Sequence, residues 1–467
     1  MASVSLQCTT CGRRKNMFPP VARCDICGGI LDYTYNYEEL PSPYDKGKGL
    51  WRYRRIFPPV SDKCIVSMGE GGTPLREARE LAHRIGGRHI YLKDESVNPT
   101  SSYRDRAASL IVSNALDLGA KTIVCASHGN FGAAAAAYCA KVKMGCTIVT
   151  PKEVNVGKLA QMHIYGGKIL RNGDTIDEAI VEAEKMGAKS YQATPELNPL
   201  SVEAQKTISH EIFEKVKGVD WVIVPTGTGN TAYSIWKGVK ECLALSLIED
   251  PPGMVLAQAE GCATLISEEG KIEVRKVKNP KTIALGLLVA SPAYGGLAVQ
   301  AVRESGGKVV TVTDEEIITA ERILAKAEGI FSEPASAASV ACFKKLLDYG
   351  EINPSETVVC LITASGLKDP YVIDALANGA KRGVRSRGGF KTKLEILRFL
   401  EVEESYGYEI WKALGKRLSI QAVYQHLEDL LARGLIEEIT GKRRKYFKLT
   451  RKGERILRAL EELSLLL

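Results

Sequence analysis

The sequence predicts an α/β protein in which a long central region with a parallel, doubly wound sheet is flanked by two smaller segments. Three observations support this fold class. Short Val- and Ile-rich runs alternate with helix-forming stretches between about residues 68 and 379, two CxxC pairs lie within the first 30 residues, and a basic helical segment follows the central region. Buried parallel strands separated by helices produce such an alternation, because helices cover both faces of the sheet.

The composition is that of a globular protein. The chain has 467 residues, of which 45% are hydrophobic and 25% are charged, and this length exceeds what one hydrophobic core usually serves. No apolar run approaches the ~20 residues that a membrane-spanning helix needs, and the first residues lack the apolar core of a signal peptide. Twelve cysteines diluted over this length favour reduced thiols, so we expect a cytoplasmic protein.

The first element is a pair of CxxC knuckles, Cys8 with Cys11 and Cys24 with Cys27, each followed by glycine. Two such knuckles supply four thiolates to one tetrahedral Zn²⁺, and the glycines allow backbone N–H groups to face sulfur. We therefore expect a structural zinc ribbon over residues 1–40. Four unrelated free cysteines are the alternative.

Buried strands are predicted at five apolar runs of the central region, residues 41–380. These runs are 122–127, 146–150, 221–225, 254–259 and 357–363. In a doubly wound sheet, ligands bind beyond the carboxyl ends of the strands, where loops lead into helix N-termini. Two glycine-containing loops have this position, SHGNFG at 127–132 and PTGTGN at 225–230. Such loops direct backbone N–H groups and a helix dipole at one point, which suits a phosphate.

Seven further motifs occur in order along this region: MGEGGTPL (68–75), YLKDESVNPT (91–100), GKLAQMHIYGG (157–167), EAQKT (203–207), AEGC (259–262), SEPASAAS (332–339) and GLKDP (366–370). With the knuckles, they make residues 1–380 resemble threonine synthase, a fold-type-II enzyme that depends on pyridoxal phosphate (PLP), and this resemblance implies a body of two doubly wound subdomains. The resemblance implies that Asn130 lies beside the 3-hydroxyl of PLP and that Thr363 faces its pyridine nitrogen. It also implies a phosphate site formed by Gly227, Thr228, Gly229 and Asn230.

One departure from the family lies in VNPTSSYRDRAAS (97–109). The family's segment has the form NPTGSFKDRG, and its lysine forms the Schiff base with PLP. Arg104 stands at this position, and a guanidinium, with a pKa above ~12, cannot supply the neutral amine that imine chemistry requires. Lys93 lies nearby but belongs to the ordinary KDE strand of the family. We therefore expect no catalytic residue, and we expect PLP, if it binds, to be held without a covalent link.

A second departure concerns the substrate. Threonine synthases carry a segment like NSVNPYRLEGQKT, whose Asn, Ser and Arg grip the phosphate of O-phosphohomoserine. This chain reads TPELNPLSVEAQKT, which places Pro195, Glu196 and Ser201 there. Because a carboxylate repels a phosphate, the resemblance predicts a protein that does not make threonine.

The positive charge is concentrated in the last part of the chain. The formal net charge is +8, and residues 381–467 carry 20 basic and 12 acidic side chains, so the first 380 residues are neutral overall. Such asymmetry points to nucleic acid or another polyanion, whereas a merely solubilising basic tail is the alternative. We expect a basic linker at 381–393 and a separate domain at 394–467.

The last domain has a recognisable order of elements. Helices are predicted at 394–400, 406–414 and 419–434, followed by a hairpin of 435–439 with 446–449 and by a final amphipathic helix. This order resembles a winged helix-turn-helix domain, whose third helix enters the major groove of DNA and whose wing contacts phosphate. A helical oligomerisation domain is the alternative. The expected DNA-binding residues are Gln421, Tyr424 and Gln425 on the third helix and Lys442, Arg443, Arg444 and Lys445 on the wing.

These features together favour a one-component transcriptional regulator, in which a catalytically silent body binds a small molecule and the last domain binds double-stranded DNA. An amino acid, PLP or a related compound is the expected ligand. The apolar spacing of Ile456, Leu460, Leu463 and Leu467 favours a homodimer, although packing within one subunit has the same pattern. Two alternatives remain: an active PLP-dependent lyase with an autoregulatory DNA-binding tail, and a binding scaffold with an empty cleft.

Overall fold

The computed structural model describes residues 3–37, 44–152, 154–187, 190–268, 271–369, 389–415, 419–439 and 445–457. The chain divides into two compact units, residues 1–376 and 377–467. The cysteine ribbon is part of the first unit. Among the described residues, no helix has both the length and the hydropathy needed to cross a membrane.

The ribbon is a three-stranded antiparallel sheet of β1 (Val4–Cys8), β2 (Arg14–Lys15) and β3 (Leu31–Tyr35). The central strand β1 pairs with both of the others. The first knuckle turns the chain from β1 into β2, and the second lies just before β3. Both pairs of cysteines therefore lie at the same end of the small sheet, since Cys8 is in register with Leu31.

The rest of the first unit alternates strands with helices, as the apolar runs predict. Its elements are β4 (Leu75–Glu77), α1 (Arg79–Ile85), β5 (His89–Asp94), α2 (Arg104–Asp117), β6 (Thr122–Ala126), α3 (Asn130–Lys141), β7 (Gly145–Thr150), α4 (Val156–Ile164), β8 (Lys168–Arg171), α5 (Ile176–Gly187), β9 (Tyr191–Gln192), α6 (Leu200–Phe213), β10 (Trp221–Pro225), α7 (Asn230–Ala244), β11 (Gly253–Ala259), β12 (Leu265–Glu268), β13 (Lys271–Val274), α8 (Gly295–Glu304), β14 (Lys308–Val312), α9 (Asp314–Glu328), α10 (Pro334–Asp348) and β15 (Thr357–Ile362).

These strands form two main sheets, one for each predicted subdomain. The larger sheet has the order β14-β11-β10-β15-β5-β4, and every pairing in it is parallel except that of the edge strand β4 with β5. The smaller sheet has the order β8-β7-β6-β9 and is parallel throughout. Each of the five predicted strands is present, and the prediction of an α/β body with two doubly wound subdomains is confirmed.

The larger sheet is buried on both faces. Along β10, Ile223 packs into one hydrophobic cluster with Ala337 of α10, whereas its neighbours Val222 and Val224 pack into another cluster with Ile235 of α7. Successive side chains of a strand point to opposite faces, so a strand covered by helices on both sides must be apolar throughout. This double burial explains the continuous apolar runs in the sequence.

The second unit has the elements of a winged helix: α11 (Gly389–Val402), β16 (Ser405–Tyr406), α12 (Gly407–Ala413), α13 (Ile420–Ala432), β17 (Ile436–Ile439) and β18 (Tyr446–Leu449). The strands form one antiparallel sheet in the order β16-β18-β17. Residues 451–457 are helical, and the remainder of the predicted final helix lies outside the described residues. The predicted winged-helix architecture is confirmed.

Two details of this unit differ from the sequence-based expectation. The predicted linker 381–393 is too long at its end, because α11 begins at Gly389. Buried Thr392 and an ion pair between Lys393 and Asp429 of α13 anchor the first turns of α11. These tertiary contacts extend the helix into a segment whose glycines predict a linker. The two-residue strand β16, which adds a third strand to the hairpin, was also not expected.

Candidate functional site

A cavity lies at the carboxyl ends of β6, β10 and β15, within the first unit. The loop after β6 contributes Asn130, the loop after β10 contributes Gly227, Thr228 and Gly229, and Thr363 follows β15. Five of the six predicted cofactor-binding residues thus line one cavity, although they are spread over more than 200 positions of the chain. The topology brings them together, because the strands are parallel and end at the same edge.

The loop Gly227–Gly229 has the form of an anion cup. Within the described part of the chain, the N–H groups of these three residues donate no hydrogen bond, and α7 begins directly after them. Gly229 has a φ of +84°, and a Cβ added there would lie 2.8 Å from the carbonyl oxygen of Tyr294. Glycine is therefore required at this turn. Free N–H groups at a helix N-terminus bind phosphate, so the cup fits the phosphate of PLP.

One predicted phosphate-binding residue, Asn230, is not part of the cavity lining. Its side chain is fully buried and accepts a hydrogen bond of 3.0 Å from Gln205 of α6, and its amide donates to Ser201 Oγ at 3.2 Å. The Asn230 side chain therefore does not face the cavity, and the expectation that Asn230 helps to hold the phosphate rests on its backbone N–H at the start of α7. The side chain instead joins the start of α7 to α6.

Arg104 lines the cavity as the first residue of α2. Its guanidinium carbon lies 4.7 Å from the centre of the Tyr103 ring, a distance suited to a cation–π contact. Its Nη1 atom is buried and has no hydrogen-bond partner among the described residues. A buried donor without a partner is costly, so Arg104 Nη1 is placed to donate to an acceptor on a ligand in the cavity.

A carboxylate, an amide and an amine form a second group in the cavity. Asn130 Nδ2 donates to both carboxylate oxygens of Glu333 at 3.0 Å, and Lys158 Nζ forms an ion pair with Glu333 at 3.0 Å. Lys158 and Glu333 are both buried. The Oδ1 atom of Asn130 is buried and unpartnered within the described residues, so it is free to accept a hydrogen bond from a ligand hydroxyl. Glu333 thus fixes the positions of both the Asn130 amide and the Lys158 side chain.

Glu196 lies beside the cup. Thr228 Oγ1 donates a hydrogen bond of 3.0 Å to Glu196 Oε1, and both residues line the cavity. Pro195 also lines it, whereas Ser201 is buried behind and donates to the carbonyl oxygen of Pro195 at 2.7 Å. Of the three residues that the resemblance aligns with a substrate-phosphate site, two therefore line the cavity, and one of these is a glutamate.

Thr363 and His128 add further hydrogen-bonding groups to the lining. Thr363 Oγ1 lies 2.7 Å from Ser336 Oγ, so its hydroxyl is held at the edge of the cavity with one partner already in place. His128 also lines the cavity, and burial together with the positive charge of Lys158 lowers the pKa of its imidazole to about 4. The imidazole is therefore neutral at pH 7 and offers one donor and one acceptor.

Lys93 is kept away from the cavity by a buried charge network. Its side chain is fully buried in β5, where Nζ contacts Glu211 Oε2 at 2.6 Å and donates to the carbonyl oxygen of Thr73 at 2.8 Å. Arg106 of α2 contacts the same Glu211 at 2.6 Å. Lys93 thus has a structural role and cannot replace an amine at Arg104.

The four cysteines of the ribbon lie close together. Their sulfur atoms are all within 4.8 Å of one another, with 3.5 Å from Cys8 to Cys27 and 3.8 Å from Cys11 to Cys24. A tetrahedral site with Zn–S bonds of ~2.3 Å separates its sulfur atoms by about 3.8 Å. The backbone N–H of Thr10 also donates to Cys8 Sγ at 3.4 Å. The cluster therefore fits the predicted zinc ion in donor type, number and spacing.

In the second unit, the predicted reading helix has the expected two faces. Val423, Leu427 and Leu430 of α13 are buried, whereas Gln421, Tyr424 and Gln425 are exposed. Ser419 caps the helix, since its hydroxyl accepts a hydrogen bond from Ala422 N at 3.2 Å. The Tyr424 ring also packs on Gly407, where an added Cβ would collide with it.

The wing is described in part. Lys445 is exposed and forms an ion pair of 3.3 Å with Glu438 of β17. Lys442, Arg443 and Arg444 lie outside the described residues.

Sequence reasoning did not assign roles to Lys158 and Glu333, although both lie in motifs that carry the family resemblance. Each is hidden in an ordinary helical pattern, Lys158 in α4 and Glu333 as the N-cap of α10. Their meeting depends on the packing of α4 near the start of α10, which local patterns do not reveal.

Comparison with known families agrees with this division of the chain. The family model described as "Pyridoxal-phosphate dependent enzyme" matches residues 66–364, and that described as "Transcriptional regulator PadR-like family" matches residues 396–459. A threonine synthase of Methanocaldococcus jannaschii is 38% identical over 376 residues, which cover 78% of this chain and 93% of that protein. A threonine synthase of Mycobacterium leprae is 39% identical over 322 residues, covering 68% and 88% respectively.

Solved structures support the fold. The processed form of threonine deaminase isoform 2 from Solanum lycopersicum superimposes with a TM-score of 0.56 and 22% identity, over 66% of this chain and 82% of that one. Maize serine racemase gives a TM-score of 0.54 and 21% identity, over 66% and 92%.

Proposed function

The chain belongs to the pyridoxal-phosphate dependent enzyme family, with threonine synthases as relatives and a PadR-like domain at its end, and we propose that it acts as a ligand-sensing transcriptional regulator. In this proposal the first unit binds a small molecule without turning it over, and the second unit binds duplex DNA. The protein works in the cytoplasm as a homodimer, which matches the two-fold symmetry of most operators.

The observation that carries the proposal is Arg104 in the cavity. An enzyme of this family needs a neutral amine to attach its cofactor, and Arg104 brings an ion that stays protonated. Lys158, the lysine among the described lining residues, is paired with Glu333 and is therefore no free nucleophile. Glu196 further opposes the phosphate of a substrate. Arg104 and Glu196 thus remove covalent cofactor attachment and substrate-phosphate binding, while the cavity itself is retained.

The residues of the cavity fit PLP held without a covalent bond. The free N–H groups of Gly227, Thr228 and Gly229 suit its phosphate, Asn130 Oδ1 suits its 3-hydroxyl, and Thr363 suits its pyridine nitrogen. When bound, PLP supplies an electron sink in enzymes. Here the same residues would bind and orient it, or an amino-acid derivative of it, as a signal.

The second unit supports DNA binding through shape and charge. The exposed face of α13 carries Gln421 and Gln425, whose amides suit bidentate contacts to adenine in the major groove. Tyr424 lies between them on the same face, and the wing supplies Lys442, Arg443, Arg444 and Lys445 to phosphates. The first 380 residues are neutral overall, so the attraction to DNA comes from this unit.

The test uses the full chain. Duplexes are selected from a random library, and the affinity of the selected duplex is measured by fluorescence anisotropy with and without PLP and with a panel of amino acids. We expect salt-sensitive, sequence-preferring binding whose affinity one of these ligands changes. The same protein should not convert O-phosphohomoserine to threonine.

Two results would decide against the proposal. Turnover of O-phosphohomoserine would establish an active lyase with a DNA-binding tail. Absence of DNA binding at low ionic strength would leave a scaffold.

A further inference from the structure

The metal ribbon is built onto the helix that begins at the anion cup. Asp32 of β3 accepts two hydrogen bonds from α7, one from Tyr233 Oη at 2.7 Å and one from Lys237 Nζ at 2.7 Å. Lys237 also donates to the carbonyl oxygen of Tyr33 at 2.5 Å. Asp32, Tyr233 and Lys237 are all buried. Since Gly229 is the N-cap of α7, Asp32 holds the helix one turn away from the cup.

A second connection reaches the cup from the other side. Arg23, which directly precedes Cys24, donates from Nη2 to the carbonyl oxygen of Ala293 at 3.3 Å. The next residue, Tyr294, donates its backbone N–H to the carbonyl oxygen of Thr228 at 2.8 Å. Only two hydrogen bonds thus separate the second knuckle from the loop that forms the cup.

An apolar contact joins these two connections. Ile30, at the end of the second knuckle, packs in a buried cluster with Tyr233, Tyr294 and Val202 of α6. Gly229 lies against Tyr294 so closely that no Cβ fits between them. A displacement of Ile30 would therefore shift both Tyr233 of α7 and Tyr294, which lies against Gly229 of the cup.

The position of the ribbon depends on its thiol cluster. Its strands have five, two and five residues, which is too little structure to fold independently of a metal or a partner surface. In small ribbons of this kind, the free energy of metal binding is the free energy of folding. Loss of the metal would release Arg23, Ile30 and Asp32 from their contacts with the body.

We propose that metal occupancy of the cluster formed by Cys8, Cys11, Cys24 and Cys27 controls the affinity of the anion cup for phosphate-bearing ligands, with Asp32 as the main positioning residue. The inference rests on the proposed binding of a phosphate compound in the cavity. It adds a second input to the protein, since a chelator or a thiol oxidant would weaken ligand binding without touching the cavity.

The body itself is held by other contacts when the ribbon is released. Lys206 of α6 forms an ion pair of 2.7 Å with Glu241 of α7, and Ser209 Oγ donates to the carbonyl oxygen of Ile235 at 2.7 Å. Helices α6 and α7 therefore stay packed together, and the effect of metal loss is a displaced cup. We expect a loss of affinity of roughly tenfold, as for one or two buried hydrogen bonds.

The experiment titrates the full chain with inorganic phosphate and with PLP by isothermal calorimetry. Zinc-loaded protein is compared with protein stripped by a chelator under reducing conditions, and far-ultraviolet circular dichroism verifies the α/β body. Asp32→Asn removes the charge with which the ribbon pairs to Lys237 of α7. Thr34→Val, two residues along the same strand, removes an exposed hydrogen bond to Ser5 and is the matched control.

We expect the stripped protein and zinc-loaded Asp32→Asn to bind both probes roughly tenfold more weakly than the zinc-loaded wild type, and Thr34→Val to bind like the wild type. Stripping Asp32→Asn should weaken binding much less than stripping the wild type, because the two changes act through one contact. Should Asp32→Asn not fold, Tyr233→Phe, which removes one of the two contacts to Asp32, should give a smaller loss in the same direction.

Two outcomes would overturn the inference. Equal affinities of loaded and stripped wild type, within twofold, would show that the ribbon does not control the cup, while the proposed ligand site would stand. Failure of the loaded wild type to bind either probe would remove the ligand site and this inference with it.

Discussion

Thr228 and Glu196 are joined by a hydrogen bond of 3.0 Å at the mouth of the anion cup. The carboxylate of Glu196 therefore lies beside the three free N–H groups of the cup. A phosphate that enters the cup must displace this carboxylate or accept its repulsion. The contact makes Glu196 a determinant of ligand affinity.

Glu196→Gln should strengthen binding of PLP and of inorganic phosphate. The amide keeps the shape of the side chain and removes a negative charge beside the cup. At a few ångströms, this charge weakens the binding of an anion by at least roughly fivefold, and the gain should shrink as salt is added. Calorimetric titration at two ionic strengths measures both effects. Glu273→Gln, an exposed carboxylate on β13, is the control and should change nothing; equal affinities of Glu196→Gln and wild type would contradict the prediction.

Arg104 should prevent covalent attachment of PLP. After incubation with PLP and reduction by borohydride, the wild-type mass should be unchanged, because neither the guanidinium nor the ion-paired Lys158 attacks the aldehyde. Arg104→Lys should gain the mass of one reduced pyridoxyl phosphate, as measured by mass spectrometry with peptide mapping. It should not recover threonine synthesis, since Pro195, Glu196 and Ser201 are retained. An adduct on Lys158 in the wild type would refute this view of the cavity.

The ribbon should contain one Zn²⁺ per chain. Metal analysis of protein purified without chelator should return close to one equivalent, because the four sulfur atoms match a closed tetrahedral site. Cys11→Ser should lose the metal, whereas Cys64→Ser, at a cysteine outside the cluster, should retain it. Substoichiometric zinc in the wild type would count against the site.

The wing should supply charge and the α13 face should supply sequence preference. Neutralising Lys442, Arg443, Arg444 and Lys445 should weaken binding of the full chain to all duplexes and flatten its salt dependence, by ~0.9 in log–log slope for each lost phosphate contact. Neutralising Lys121, Lys141, Lys152 and Lys185, exposed cations of the first unit, should have little effect.

Changes on the α13 face should behave differently. Gln421→Ala or Gln425→Ala should alter the preferred duplex, with about 1–3 kcal/mol lost for a good base contact. A uniform loss over all sequences would remove these residues from base recognition.

Glu321 gives a prediction about pH. Both of its carboxylate oxygens are buried without a partner in the described residues, and burial, with the negative charges of Asp369 and Glu333, raises its pKa to about 8 despite nearby Arg322. The unfolded carboxyl has a pKa of about 4.3. The folded state therefore holds its proton longer, and stability falls as the pH rises from about 4 to 8. At pH 8, Glu321→Gln should have a higher melting temperature than the wild type. At pH 5 the difference in melting temperature should be smaller, and an equal difference at the two pH values would contradict the prediction.

The strands, the cysteine ribbon and the glycine loop could be predicted from the sequence, because each depends on residues that are close together in the chain. The runs around Ile223 and Val255 are apolar on both faces, CxxC spacing brings cysteines to one metal, and the glycines of the cup lie where a strand leads into a helix. The contacts of Asn130 with Glu333, of Glu196 with Thr228 and of Asp32 with Tyr233 could not be predicted in this way. Each joins residues that are far apart in sequence, so they depend on how helices pack, which periodicity does not encode.

The anion cup is made of main-chain N–H groups at Gly227, Thr228 and Gly229, and this has a consequence for descent. A main-chain donor survives almost any side-chain replacement that preserves the turn, whereas a reactive amine disappears with a single codon change. Catalysis is therefore lost more easily by mutation than the anion-binding main chain. A gene copy that loses the amine therefore keeps these main-chain donors, from which later mutations can build a new function.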